Sequence, residues 1–232
     1  MAAKTVLITG SNRGIGLAFA SHYKREGWKV IGCARNVDAA TDLKKLQPWK
    51  LLTLGTSSDE SIAAAAKTLE NVPINLLINN AGIMDVHHLE TTTKADLLRH
   101  FEVNAIGPFL MTRALLPNLR LAVGAEGSAF VAQITSRMGS ITDNGSGGYY
   151  GYRASKTALN MLTKSLAVDL EEDKIGCLLL HPGYVNTAMV GFQGSVSPED
   201  SVKGLTKIIA RAKKLEDSAK MFHFEKGDVL PW

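Results

Sequence analysis

Tyr152 and Lys156 stand four residues apart in Tyr152-Arg153-Ala154-Ser155-Lys156, and the pair has the chemistry of a proton donor. Four residues is about one helical turn, so both side chains leave one face. An ammonium within reach of a phenol favours the phenolate and pulls its pKa below the ordinary value near 10, making tyrosine a usable acid or base. Exposed helices carry the same spacing by chance, so the pair needs support from elsewhere. A second signature is Thr9-Gly10-Ser11-Asn12-Arg13-Gly14-Ile15-Gly16, which follows an apolar strand-like run and opens a helix-like one. Glycines there permit a tight turn and close approach of a pyrophosphate, and the helix N-terminus offers unpaired N–H groups and positive potential.

Strand-like runs at 5–9, 29–33, 51–54, 75–79, 128–135 and 175–181 alternate with helix-like patterns at 15–26, 39–45, 60–70, 94–116 and 150–170. Strands this apolar imply a parallel sheet covered on both faces. Right-handed crossovers then give an α/β, Rossmann-type doubly wound fold whose ligands gather at the carboxyl ends of the strands. No internal repeat or interdomain linker interrupts the chain, so 1–232 reads as a single domain. Turn-forming residues collect at 140–148 and 184–197, so loops at about 137–150 and 184–198 are expected to close over a ligand. Residues 221–224 read as a last edge strand, with 227–232 as a terminal cap.

Composition narrows the function classes. The chain carries 26 Lys and Arg against 22 Asp and Glu, dispersed rather than gathered into the basic stripe of a nucleic-acid binder. The basic stretch 207–214 runs into Glu216 and Asp217 and reads as a solvated helix face. No apolar run reaches the length of a membrane span. Cys33 and Cys177 sit inside apolar runs as small buried hydrophobes. With no leader preceding the first strand, a soluble cytoplasmic protein is expected. His87-His88 lacks a matching ligand pattern, so no metal is expected.

The Thr-Gly-x-x-x-Gly-x-Gly spacing resembles that of the short-chain dehydrogenase/reductase family, and the resemblance continues through Asn79-Asn80-Ala81-Gly82, Asn104, Ser136, Tyr152-x-x-x-Lys156 and Pro182-Gly183. Gly139-Ser140-Ile141, Gly147-Gly148-Tyr149-Tyr150 and the Leu230-Pro231-Trp232 terminus resemble the C-factor and Sniffer-type carbonyl reductases within it. The resemblance implies a catalytic set of Asn104, Ser136, Tyr152 and Lys156. Tyr152 would give a proton to a substrate carbonyl, Ser136 would hydrogen-bond its oxygen, and Lys156 would hold a nicotinamide ribose. Asn104 would interrupt its helix and hold a water near the lysine. Cofactor contacts would come from Gly10, Asn12, Arg13, Gly14, Ile15 and Gly16, from Asn80, Ala81 and Gly82, and from Pro182, Gly183, Val185 and Thr187.

The second strand ends Cys33-Ala34-Arg35, where an acid would bind the ribose of NAD and an arginine the 2′-phosphate of NADP. Arg35 with Arg13 points to NADP(H); Asp38 is the rival acid, although it lies past the strand end. Relatives show an aspartate after the third strand where this chain has Leu54-Gly55-Thr56-Ser57, which leaves Thr56, Ser57 or backbone groups to hold adenine. Met138, Tyr149, Tyr184, Met189 and Phe192, with Ile141, are candidates to line an apolar substrate site. The expected activity is NADPH-dependent reduction of an aldehyde, ketone or quinone by a homodimer. The alternatives are an NADP-binding sensor with vestigial chemistry and an oxidative alcohol or hydroxysteroid dehydrogenase.

Overall fold

The computed structural model describes residues 3–212 and 215–232; Lys213 and Lys214 of the basic stretch lie outside the described residues. In chain order the elements are β1 (Thr5–Ile8), α1 (Gly14–Arg25), β2 (Lys29–Ala34), α2 (Thr41–Lys45), β3 (Lys50–Thr53), α3 (Asp59–Thr68) and β4 (Leu76–Asn79). They continue with α4 (Lys94–Phe101), α5 (Gly107–Ala114), α6 (Leu116–Glu126), β5 (Ala129–Ile134), α7 (Tyr150–Asp169), β6 (Ile175–His181), α8 (Pro198–Arg211) and β7 (Met221–His223). The strands form one sheet in the order β3-β2-β1-β4-β5-β6-β7, and every neighbouring pair is parallel. The order reverses direction beside β1, so the carboxyl ends of β1 and β4 open the crevice expected of a doubly wound fold.

Side-chain alternation along the strands sends two apolar sets to opposite faces. Val6 and Ile8 of β1 join Phe19 of α1 and Val202, Leu205 and Ile208 of α8 on one side. Leu7 joins Ile62 of α3, Met111 of α5 and Leu166 of α7 on the other. Each fully buried side chain of this size contributes roughly 1.5–3 kcal/mol, so both helical layers are needed to cover the sheet. No described helix is long and apolar enough to cross a membrane.

Two features depart from the periodicity. The helix expected over 94–116 is broken: Glu102–Ile106 forms a π-turn in which Gly107 N–H donates to Glu102 O. The chain must pass close to β3 here, because a Cβ on Gly107 would strike the carbonyl of Thr56. The second departure is the start of α8: the basic stretch from 207 reads as a helix face, but the helix already begins at Pro198. Ser197 caps it by accepting from Asp200 N–H at 3.0 Å, and Pro198 occupies the first turn, where its missing N–H costs nothing. The edge strand ends one residue earlier than expected, at His223. The terminal cap folds back on it through a Phe222–Val229 bridge and a Leu230 N–H to Met221 O bond of 2.7 Å, shielding the edge.

Asn118 pins the link between α3 and β4, its side-chain amide donating to Leu69 O at 2.6 Å and Val72 O at 2.8 Å while its backbone carbonyl accepts from Ile74 N–H. Replacing Asn118 by Ala leaves two carbonyls without their donor, and the expected loss is about 1–3 kcal/mol. Urea unfolding should show a lower midpoint with an unchanged slope.

Candidate active site

The glycine loop is shaped by contacts that exclude side chains. Gly10 and Gly14 have φ of 62° and 54°, and a Cβ on Gly16 would collide with Gly10 O and the Asn80 amide. Asn80 supports this loop from β4: its side-chain amide donates to Thr9 O (2.9 Å) and Gly10 O (3.1 Å). Thr9 Oγ1 in turn accepts from the N–H groups of Asn80 and Ala81. Ser11 N–H donates to Cys33 O at the end of β2. The amides of Asn80 are therefore committed to the loop, although the residue also borders the cleft.

A cleft of about 450 Å³ runs along the carboxyl ends of the strands. Gly10, Asn12, Arg13, Gly14, Ile15 and Gly16 line it, with Arg35, Ala81 and Gly82. Tyr152, Lys156, Pro182, Thr187, Met189 and Phe192 border it as well. Thr187 also packs on the glycine loop, since a Cβ on Gly14 would lie 3.1 Å from its methyl. Arg13 and Arg35 are exposed and, among the described residues, have no ion-pair partner. Asp38 lies off the cleft wall, 3.5 Å from Lys44 Nζ.

The candidate catalytic side chains converge on the end of β5. Ser136 caps the short turn Arg137–Gly139, its hydroxyl accepting from Met138 N–H at 3.1 Å. That turn lies directly on α7, because a Cβ on Gly139 would clash with Lys156. Tyr152 and Lys156 share one face of α7 as their spacing predicts, with the ammonium 5.8 Å from the centre of the phenol ring. Thr135 borders the cleft, its hydroxyl donating to buried Asn160 at 2.6 Å, whereas Ser136 and Asn104 lie off the cleft wall.

The electrostatics differ from the expectation drawn from spacing. Lys156 donates to Ile134 O at 2.8 Å, and burial brings its pKa down to about 8. Burial raises the Tyr152 phenol above its ordinary value, and hydrogen bonding to Ser136 offsets only part of that. Desolvation disfavours the charged phenolate, whereas the lysine's proton is directed at a carbonyl. Burial therefore works against ionisation of the phenol.

Asn104 lies in the π-turn and is fully buried. Its amide donates to Ile83 O (2.9 Å) and Ser155 Oγ (3.0 Å), and its side-chain carbonyl accepts from Ile83 N–H (2.9 Å). It joins the loop after β4 to α7, directly behind the lysine. A Cβ on Gly82 would stand 3.1 Å from Asn104 Oδ1 and 3.8 Å from Lys156 Nζ, so glycine keeps the gap between them open.

Several expected residues lie off the cleft wall. Gly183 serves a turn with φ of 83°, and a side chain there would strike Phe224. Val185 is buried in a bridge to Val196 that closes the base of the 184–198 loop. Met138, Tyr149 and Tyr184 do not border the cleft, because loop residues carry no periodicity that fixes side-chain direction. Sequence reasoning missed Ile83 and Val103 on the wall, where Asn186, the alternative to Thr187, also stands. It also missed Asn160, one turn beyond Lys156, whose polar character within an apolar helix face was a usable signal. Thr56 and Ser57 do border the cleft, with Leu54.

Counterparts of this arrangement exist among known proteins. Residues 4–196 match the short chain dehydrogenase family. C-signal of Myxococcus xanthus is 40% identical over 161 residues, 69% of this chain and 93% of that protein. The NADPH-bound carbonyl reductase from chicken fatty liver is 33% identical and superimposes with a TM-score of 0.91 over 100% of both chains. Carbonyl reductase Sniffer of D. melanogaster is 29% identical, with a TM-score of 0.92, again over 100% of both.

Proposed function

This chain belongs to the short-chain dehydrogenase family, and within it we propose that it is an NADPH-dependent reductase of aldehydes, ketones or quinones. The observation that carries the reading is the meeting of Tyr152, Ser136 and Lys156 at the end of β5, beside a cleft built around a glycine loop. The residues fit the cofactor. Glycines at 10, 14 and 16 leave room for a pyrophosphate at the amino end of α1. Arg13 and Arg35 offer two guanidiniums suited to a 2′-phosphate, whereas Asp38 is engaged with Lys44. The likeness to an NADPH-bound carbonyl reductase supports the same choice.

NADPH, when bound, supplies the hydride that reduces a carbonyl carbon. Tyr152 gives its phenolic proton to the carbonyl oxygen, and Ser136 hydrogen-bonds that oxygen and orients it. Burial that keeps the phenol protonated favours reduction, since oxidation would need the costlier phenolate. Lys156 lies close enough to stabilise the phenolate formed as the proton leaves. A lysine brought down to about 8 can also release and regain a proton near neutral pH, as replenishing the tyrosine requires. Asn104 fixes the lysine's surroundings by tying Ile83 to α7. Met189 and Phe192, which are 42% and 69% exposed at the cleft mouth, offer apolar contact to a substrate and leave the site open.

Two experiments test this reading. Tyr152→Phe should bind NADPH as tightly as the parent yet lose at least about a hundredfold in turnover across a panel of aldehydes, diketones and quinones; turnover at the parent level removes Tyr152 from the chemistry. If the parent binds NADPH tightly but consumes none with any carbonyl, the sensor reading replaces this one. For cofactor choice, the double change Arg13→Ala with Arg35→Ala should weaken NADPH binding about tenfold to a hundredfold. NADH binding should hardly change, and equal weakening of both would place the arginines elsewhere than at the 2′-phosphate.

A further inference from the structure

The turn carrying Ser136 leans on a side chain that the proposed chemistry leaves unused. Just before the serine, Thr135 N–H donates to Leu180 O of β6 at 2.9 Å. Bonds along a parallel pair are evenly spaced, so the next one would run from Arg137 N–H to the carbonyl of Pro182. That carbonyl accepts from Ser201 Oγ at 2.7 Å, and Arg137 N–H donates instead to Nδ1 of His181 at 3.2 Å. An imidazole thus takes the place of the ladder acceptor, and Ser136 is held from both sides by consecutive residues of β6.

The imidazole is itself held in place. His181 ends β6 and pairs in register with His223 of β7, whose ring meets it edge-on with centroids 5.1 Å apart. His223 is fixed in turn, its Nδ1 accepting from Glu225 N–H at 3.3 Å and its own N–H donating to Asp228 O at 2.9 Å. A histidine that accepts at Nδ1 is neutral and carries its proton on Nε2. Burial, with His223 and Arg137 nearby, brings the His181 pKa down to about 3, so the acceptor persists at neutral pH. What depends on it is the serine. Ser136 Oγ accepts from Met138 N–H at 3.1 Å and hydrogen-bonds the Tyr152 phenol, and both contacts require the backbone at 136–137 to keep its course.

We propose that His181 is a positioning residue for carbonyl reduction: by accepting from Arg137 N–H it fixes the turn after β5, and with it the direction of the Ser136 hydroxyl. The catalytic consequence rests on the reductase reading, but the hydrogen bond does not. His181 lies off the cleft wall, so its effect on turnover passes through the serine.

The test uses the whole protein, with the best substrate of a panel of aldehydes, diketones and quinones. In His181→Leu, kcat should fall about tenfold while KM and NADPH binding stay within about twofold. His181→Asn places an amide oxygen where Nδ1 stood and should recover most of the lost kcat. In a Ser136→Ala background, His181→Leu should cost less than about twofold more, because a residue that acts through the serine has nothing left to position. A full further loss there, or no rescue by asparagine, overturns the positioning role. If His181→Leu fails to bind NADPH, as an unfolded chain would, His181→Ala takes its place in the same comparisons. A second arm needs no activity: in the cofactor-free protein, exchange of the Arg137 amide should quicken about tenfold in His181→Leu but not in His181→Asn. The ring nitrogens of His181 should show the Nε2–H tautomer by NMR. Unchanged exchange or the Nδ1–H tautomer overturns the hydrogen bond itself, whether or not the parent reduces carbonyls. A parent inactive across the panel sinks the reductase reading and the role in turnover with it, while the exchange arm still decides whether His181 holds the turn.

Discussion

A buried ammonium needs a partner, and Lys156 finds it in the carbonyl of Ile134, the last residue of β5, at 2.8 Å. Most of the site's architecture follows from accommodating that one charge. α7 must approach the strand end closely, which is why Gly139 cannot carry a side chain against Lys156. The space on the lysine's far side must stay open, which is why Gly82 has no Cβ between it and Asn104. Tyr152 then arrives one turn earlier on the same helix face, and Ser136 one turn of loop beyond the strand. Burial still disfavours the charged form and brings the lysine down to about 8.

The same burial acts on the tyrosine with the opposite chemical result. Both neutral forms are favoured, so the phenol holds its proton while the lysine can shed its own. Spacing alone suggests a phenolate stabilised by a cation, whereas burial in the folded site works against both charged forms. That combination suits giving a proton to a carbonyl oxygen. The glycine loop, Arg13 and Arg35 border the same cleft as the pair.

Much of this was legible in the chain. Apolar runs such as 75–79 and 175–181 can satisfy their backbone only in a covered sheet, so the strands and their parallel order followed from pattern. The glycine loop was legible because its motif sits between a strand and a helix. The π-turn at Glu102–Ile106 was not, because those residues are compatible with an ordinary helix and the break arises from the approach of Gly107 to Thr56. The first turns of helix α8 hid behind Pro198, although Ser197 and Asp200 carried a capping signal. The pKa of Tyr152 depended on which atom the lysine faces, something no spacing records. Met138, Tyr149 and Tyr184 lie off the cleft wall because loop backbone, not side-chain type, decides where they point.

The central claim is that burial keeps Tyr152 a neutral acid despite its lysine neighbour. The direct measurement is an NMR titration of the cofactor-free protein labelled at tyrosine Cζ, with the Tyr152 signal identified by its loss in Tyr152→Phe. The account predicts that Tyr152 still shows the shift of a protonated phenol at about pH 10, where an unperturbed tyrosine is half ionised. Ionisation at or below that pH would contradict it.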